Sequence, residues 1–256
     1  GNHCEFLGKE EIQKTLDEIT SYLTRGPQKI LQNPRQEQIK VKRQKFSKAL
    51  AQEALLATKK WLDELHISFF LMSGTLLGAI RENDILDNDY DIDIGIFAKD
   101  ADLTKLYLLL KYKKPPHFEI MTLEKNLKIL LKYKETILID IFNHYLKEDG
   151  RMYHGAPDRE WVNTPFELIP YKLFGTEFLI PQNYELYLEE NYGDWRTPQK
   201  DFDSAFCTPN LVCDNGIYTA LFYSKMLMAY FTEGKMDRAQ HSLDIIRLVY
   251  KNIVSC

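Results

Sequence analysis

In Asp91-Ile92-Asp93-Ile94-Gly95-Ile96-Phe97 the first six residues alternate between an aspartate or glycine and an isoleucine. A period of two is the period of a β-strand, which sends Asp91, Asp93 and Gly95 to one face and three isoleucines to the other. The isoleucines face a core. The opposite face then carries two carboxylates rooted ~6–7 Å apart, close enough to share a divalent cation. Without a cation their charges repel.

A second apolar run, Ile137-Leu138-Ile139-Asp140-Ile141-Phe142, is interrupted by one carboxylate. An unpaired buried charge costs several kcal/mol, so Asp140 requires a partner. A metal shared with Asp91 and Asp93 would neutralise all three, and hard oxygen ligands suit Mg²⁺ or Mn²⁺. The plainer alternative is that Asp91 and Asp93 form a solvated strand face while Asp140 pairs with a lysine such as Lys132 or Lys134. Against it stands Gly74-Thr75, just after the apolar run Ile67–Leu71. A glycine turn into a helix start exposes backbone N–H groups that suit a phosphate.

The rest of the chain reads as α+β. Ile12, Leu16, Ile19 and Leu23 recur at helical spacing, as do Phe46, Leu50, Ala54, Ala57, Trp61 and Leu65, with Gly26-Pro27 between. Lys29 to Lys45 is polar and reads as a loop feeding a helix from about Gln36 to His66. Strand, tight turn and short helix follow over 67–80, then a helix over 100–111 and short strands at 118–121, 127–133 and 137–142. The expected sheet is mixed or antiparallel. Beyond Gly150 the chain is rich in aromatics and proline up to Pro198, then closes with helices over about 217–231 and 236–253. Three regions result: an N-terminal helical region (1–66), a core (67–145), and an aromatic segment with C-terminal helices (146–256) packed with the core.

Thirty-three basic against 37 acidic side chains give a formal charge of −4, which argues against a protein that coats nucleic acid. Four scattered cysteines (Cys4, Cys207, Cys213, Cys256) do not make a disulfide framework. No apolar stretch approaches the ~20 residues of a membrane span. A cytoplasmic protein, peripheral to a membrane or not, is expected, or else a secretory-pathway lumenal one separated from an anchor.

The stretch Gly74-Thr75-Leu76-Leu77-Gly78-Ala79-Ile80-Arg81, followed by Asp89-Tyr90-Asp91-Ile92-Asp93-Ile94-Gly95, resembles the signature of the LicD/fukutin family. Leu138-Ile139-Asp140-Ile141-Phe142 is similar to the family's later carboxylate strand. Phe178-Leu179-Ile180-Pro181, Tyr187-Leu188 and Tyr192-Gly193-Asp194-Trp195 resemble its C-terminal signature. Tyr90 stands where bacterial members commonly have a further aspartate. The resemblance implies a polymerase-β-like nucleotidyltransferase fold with a mixed sheet core. It also implies metal-dependent transfer of phosphocholine, an alditol phosphate or a similar group from a CDP-linked donor to a glycan hydroxyl, releasing CMP. Such chemistry belongs to cell-surface glycan or capsule synthesis, in this chain alone or in a larger protein or complex. Asp91, Asp93 and Asp140 would be the catalytic metal ligands.

Two other readings stay open: nucleotidylyl transfer with release of pyrophosphate, and a non-catalytic nucleotide- or glycan-binding domain. Gly74, Thr75 and Arg81 are candidates for donor phosphate, Arg81 having a surface salt bridge with Glu82 or Asp84 as its alternative. Lys132 and Lys134 share a predicted strand face and either counter pyrophosphate or are merely solvated. Tyr192 and Trp195 could stack on a base or sugar, or build core. Asp194 is a reserve carboxylate. His144 follows Asp140 closely, but a lone histidine is more often structural. Cys207 and Cys213 have poor zinc spacing and read as free thiols, although some fukutin relatives carry a cysteine-containing zinc loop.

Overall fold

The computed structural model describes residues 47–254 apart from 88, 90, 157–158, 200–201, 205–206 and 214–215, together with Lys14, Asp17 and Ser21. Ile12, Leu16, Ile19, Leu23, the segment 29–45 and the helix start near Gln36 lie outside the described residues, as do Cys4, Tyr90 and Cys256. Residues 42–212 form one compact unit, and the last two helices belong to a second.

The first unit opens with α1 (Lys48–Glu64), where Ser47 Oγ accepts the Leu50 N–H at 3.4 Å, a side-chain cap for an otherwise unsatisfied donor. Its apolar stripe, Ala51, Ala54, Leu55, Trp61 and Leu62, is buried. A two-residue strand β1 (Phe70–Leu71) leads into α2 (Ser73–Glu82), and β2 (Asp91–Phe97) and α3 (Leu103–Tyr112) follow. Next come the strands β3 (Phe118–Glu124), β4 (Lys128–Tyr133) and β5 (Ile137–Leu146). The predicted elements between 67 and 142 are present, and the sheet is mixed.

Parallel pairing of β2 with β5 forms its centre, β1 runs antiparallel to β2, and β4 lies antiparallel on the other edge of β5. The sheet continues through β6 (Met152–Ala156), β7 (Arg159–Asn163), β8 (Leu168–Leu173) and β9 (Thr176–Pro181), with β9 parallel to β1. Helix α4 (Tyr184–Tyr192) follows, and β10 (Leu211–Cys213) edges β7. In the second unit α5 (Ile217–Thr232) and α6 (Met236–Val254) pack through Leu227, Tyr230, Ala239 and Leu243. No described helix is long and apolar enough to cross a membrane.

Ile92, Ile94 and Ile96 of β2 and Ile137, Ile139 and Ile141 of β5 are fully buried. On the other face an aromatic cluster closes the lower end of the same two strands. The Phe70 ring lies where a Cβ on Gly95 would sit, 2.3 Å from its edge, so only glycine fits. Phe70 meets His144 at 4.9 Å, His144 stacks on His154 at 4.4 Å, and His154 stacks on Trp161 at 5.5 Å. His144 is therefore part of the packing.

Burial holds both histidines neutral, pushing His144 down to about 3 and His154 well below the usual range. The unfolded chain, with histidines near 6.5, takes up protons that the folded rings refuse. Their contribution is thus complete above about pH 6.5 and is lost as pH falls toward 3, at about 1.4 kcal/mol per pH unit for each titrating ring. Urea unfolding should show wild type losing more stability than His154→Phe between pH 7.5 and 5.5. Equal losses would contradict neutral burial of this stack.

Candidate functional site

The parallel register sets Asp93 directly beside Asp140 and Asp91 beside Leu138. Since Asp91 and Asp93 share one face of β2, all three carboxylates converge above the isoleucine core. One oxygen from each of Asp91, Asp93 and Asp140 lies within 4.8 Å of the others, and all three residues are partly exposed. This is the only such group of metal-ligating side chains among the described residues.

The helix after β1 is tied to the same point. Thr75 Oγ1 accepts the Asp93 N–H at 2.9 Å, and the Met72 N–H donates to the Asp93 carbonyl at 3.4 Å. Thr75 is buried, so its hydroxyl fixes the Asp93 backbone and leaves only main-chain groups for a ligand. The turn's left-handed residue is Ser73, with φ +45°, rather than the expected glycine. Such a conformation in a non-glycine residue costs about 1–3 kcal/mol and recurs at functional sites. Gly74 leaves space instead: a Cβ there would sit 2.9 Å from Asp89 Oδ2, and the Asp89 carboxylate would have to shift to admit it. Asp89, not among the expected site residues, thereby joins the cluster and hydrogen bonds with Asp91.

Burial, and then the charges of Asp89 and Asp140, push Asp91 up to about 8. Asp93 is raised well above the carboxylate range by burial and by Asp91. Asp140 is raised by burial, against the opposing pull of Lys128. Lys128 Nζ lies 3.5 Å from Asp140 Oδ2, while the buried Asp140 Oδ1 has no partner. The lysine on Asp140 is thus neither Lys132 nor Lys134. Lys132 faces Glu119 at 3.8 Å, and Lys134, beyond the end of β4, pairs with Glu53 at 2.6 Å. The structure brings neither to the carboxylates.

Arg81 lies seven residues from Gly74, about 10 Å along α2 at 1.5 Å per residue. Its guanidinium donates to the Trp195 carbonyl at 3.3 Å and meets Glu82 at 3.4 Å. Trp195 is a buried core residue, and Arg196 lies over its ring at 4.2 Å. Tyr192 and Tyr187 of α4 stand near the acids, since the charge of Asp93 helps to raise both phenols after burial. Cys207 is a free thiol.

In metal-free protein each raised carboxylate is protonated more readily when folded than unfolded. The associated stability is present below about pH 4 and is lost as pH rises through the folded values, near 8 for Asp91. Asp91→Asn removes that loss. In chelator-treated protein at pH 8 it should be more stable than wild type by on the order of 1–3 kcal/mol, a difference that shrinks by pH 5.5. A less stable variant at pH 8 would show that repulsion does not govern this cluster.

Residues 66–183 match the sequence profile of LicD/FKTN/FKRP, nucleotidyltransferase domain. Among curated proteins the chain is similar to the ribitol-5-phosphate transferase FKTN of Homo sapiens, 29% identical over 187 residues that cover 70% of this chain and 40% of that protein. An uncharacterized protein of Rickettsia typhi is 31% identical over 164 residues, covering 60% of this chain and 50% of that one. The chain thus spans well under two thirds of the length of these relatives. Among solved structures, the lincosamide antibiotic adenylyltransferase LnuA aligns at 15% identity with a TM-score of 0.39, over 53% of this chain and 83% of that one. A likeness of that size carries no argument. The profile match covers the turn, both carboxylate strands and the β9 motif, so that residues 66–183 are similar to the LicD/FKTN/FKRP nucleotidyltransferase domain.

Proposed function

We propose that the chain transfers a substituted phosphate, such as phosphocholine or an alditol phosphate, from a CDP-linked donor to a glycan hydroxyl and releases CMP. The observation that carries this reading is the convergence of Asp91, Asp93 and Asp140, from two parallel strands, to within 4.8 Å inside the family's domain. The name of the human relative, a ribitol-5-phosphate transferase, supports the class of group transferred.

The residues fit a divalent metal. The donor set is all oxygen, Asp140 Oδ1 is buried without a partner, and the acids are destabilised by one another. Asp91, Asp93 and Asp140 would hold Mg²⁺ or Mn²⁺, which when bound neutralises charge on the donor's pyrophosphate. The Thr75 hydrogen bond fixes the Asp93 backbone, so its carboxylate is placed before substrate arrives. Main-chain N–H groups at Gly74 and Thr75, at the start of α2, are suited to a donor phosphate. Arg81, Lys132 and Lys134 are engaged by Trp195 and Glu82, Glu119, and Glu53, and each would have to leave that partner to touch donor. Tyr192 is the aromatic best placed to contact substrate, whereas Trp195 serves the core.

In the reaction the acceptor hydroxyl gives its proton to a carboxylate of the cluster, for which Asp140 is the candidate, and its oxygen bonds to the distal phosphorus of the donor. The bond from that phosphorus to the bridging oxygen breaks, and CMP departs with the bonding electrons. Positioning and electrostatics are what such a transfer asks of a protein. The chain would act in cell-surface glycan or capsule synthesis, peripheral to the membrane or within a larger protein or complex.

Incubation with a panel of CDP-linked alcohols, Mg²⁺ and candidate glycans should release CMP, and chelation with EDTA should stop it. Asp91→Asn and Asp93→Asn should each lower the rate by about 10²-fold or more while remaining folded. Release of pyrophosphate in place of CMP would instead establish nucleotidylyl transfer, and nucleotide binding without turnover a non-catalytic domain.

A further inference from the structure

Lys128 begins β4, opposite Phe142, and two residues before Leu130, which is opposite Asp140. Positions two apart on a strand share a face, so Lys128 and Asp140 lie diagonally on the carboxylate side of the sheet. The lysine stem is covered, with its side chain 16% exposed, and its ammonium rests 5.5 Å from the centre of the Phe142 ring. The head group is therefore delivered to the cluster by a packed stem rather than by a free surface arm.

Its hold there is loose. Nζ stands 3.5 Å from Asp140 Oδ2 and 3.8 Å from Glu124 Oε1, beyond the ~2.7–2.9 Å of a closed ammonium–carboxylate hydrogen bond. Lys134 on Glu53 at 2.6 Å and Lys48 on Asp87 at 2.9 Å show what a closed pair looks like in this chain. An ammonium has three donors, and here the long contact to Asp140 Oδ2 engages one of them at the outer limit of a hydrogen bond. Asp140 is divided accordingly: Oδ2 faces Lys128, and Oδ1 is buried with no partner. A divalent cation arriving at Asp140 is a like charge for Lys128 and weakens its attachment. The nearest new anion is then the phosphate group that shares the cation.

Building on the metal-dependent reading above, we propose that Lys128 is a donor-phosphate-binding residue, held on Asp140 until a divalent cation occupies the carboxylates and then engaging the pyrophosphate of the donor. The ligand it recognises is a diphosphate oxygen, and a lysine suits it as a mobile point charge. Two consequences have opposite sign. Toward the metal alone Lys128 is a competitor, and toward nucleotide with metal it is a ligand.

Calorimetry with Mn²⁺ alone, and with CDP in the presence of Mn²⁺, separates these roles in wild type, Lys128→Met and Lys128→Arg, with circular dichroism as the check on folding. Lys128→Met should bind Mn²⁺ as tightly as wild type or more tightly, yet bind CDP at least tenfold more weakly. Lys128→Arg should recover much of the loss. The proposal is overturned if Lys128→Met binds CDP within twofold of wild type. It is also overturned if Mn²⁺ and CDP affinity fall together, because Lys128 would then merely shape Asp140. Should Lys128→Met fail to fold, Lys128→Gln serves the same comparison. A wild type that binds neither Mn²⁺ nor CDP would instead overturn the metal-dependent reading itself.

Discussion

The parallel pairing of β2 with β5 places Asp93 beside Asp140, and the site depends on that register. A slip of one residue would turn each carboxylate into the core and each isoleucine out of it. The opposing energies make the arrangement workable. Six fully buried isoleucines on these strands, at about 1.5–3 kcal/mol each, contribute on the order of 10 kcal/mol. Repulsion between two like charges 4 Å apart is about 4 kcal/mol at an effective dielectric of 20, and protonation lowers it further. The core therefore imposes the cluster, and the cluster in turn attracts cations.

Around that register the other contacts are local devices of placement. Thr75 ties the start of α2 to the backbone of Asp93, Gly74 leaves room for Asp89, and Gly95 leaves room for the Phe70 ring. The aromatic and histidine stack below the carboxylates is neutral and buried, and it fixes one end of β5 without adding charge to the site. In this arrangement the protein supplies position and field, and the chemistry belongs to whatever cation and phosphate are brought there.

Much of this could be read from the chain, because β2 and the first half of β5 are short strands with one clean face each. Alternation alone separates Asp91 and Asp93 from their isoleucines, and an interrupting Asp140 in an apolar run asks for a partner. Strands β6 to β9 were not anticipated, since Pro170, Pro181 and closely spaced aromatics break the two-residue rhythm, and the pairing of β9 with β1 joins residues about a hundred positions apart. Lys128 was passed over for a related reason. Lys132 and Lys134 are nearer to Asp140 in sequence, but the hairpin sets Lys132 opposite Leu138 and Lys128 opposite Phe142, both on a diagonal of Asp140, and it is side-chain packing that turns Lys128 to Asp140 and Lys132 to Glu119. Asp89 and Ser73 depend on tertiary packing and leave no periodic signal.

Anomalous diffraction from crystals soaked in Mn²⁺ tests the central claim most directly. One or two peaks bounded by Asp91, Asp93 and Asp140 are expected, with carboxylate oxygens at about 2.2 Å, and they should be lost in Asp93→Asn crystals. Crystals that show no peak at these carboxylates under saturating Mn²⁺, or a peak held by other residues alone, would contradict it.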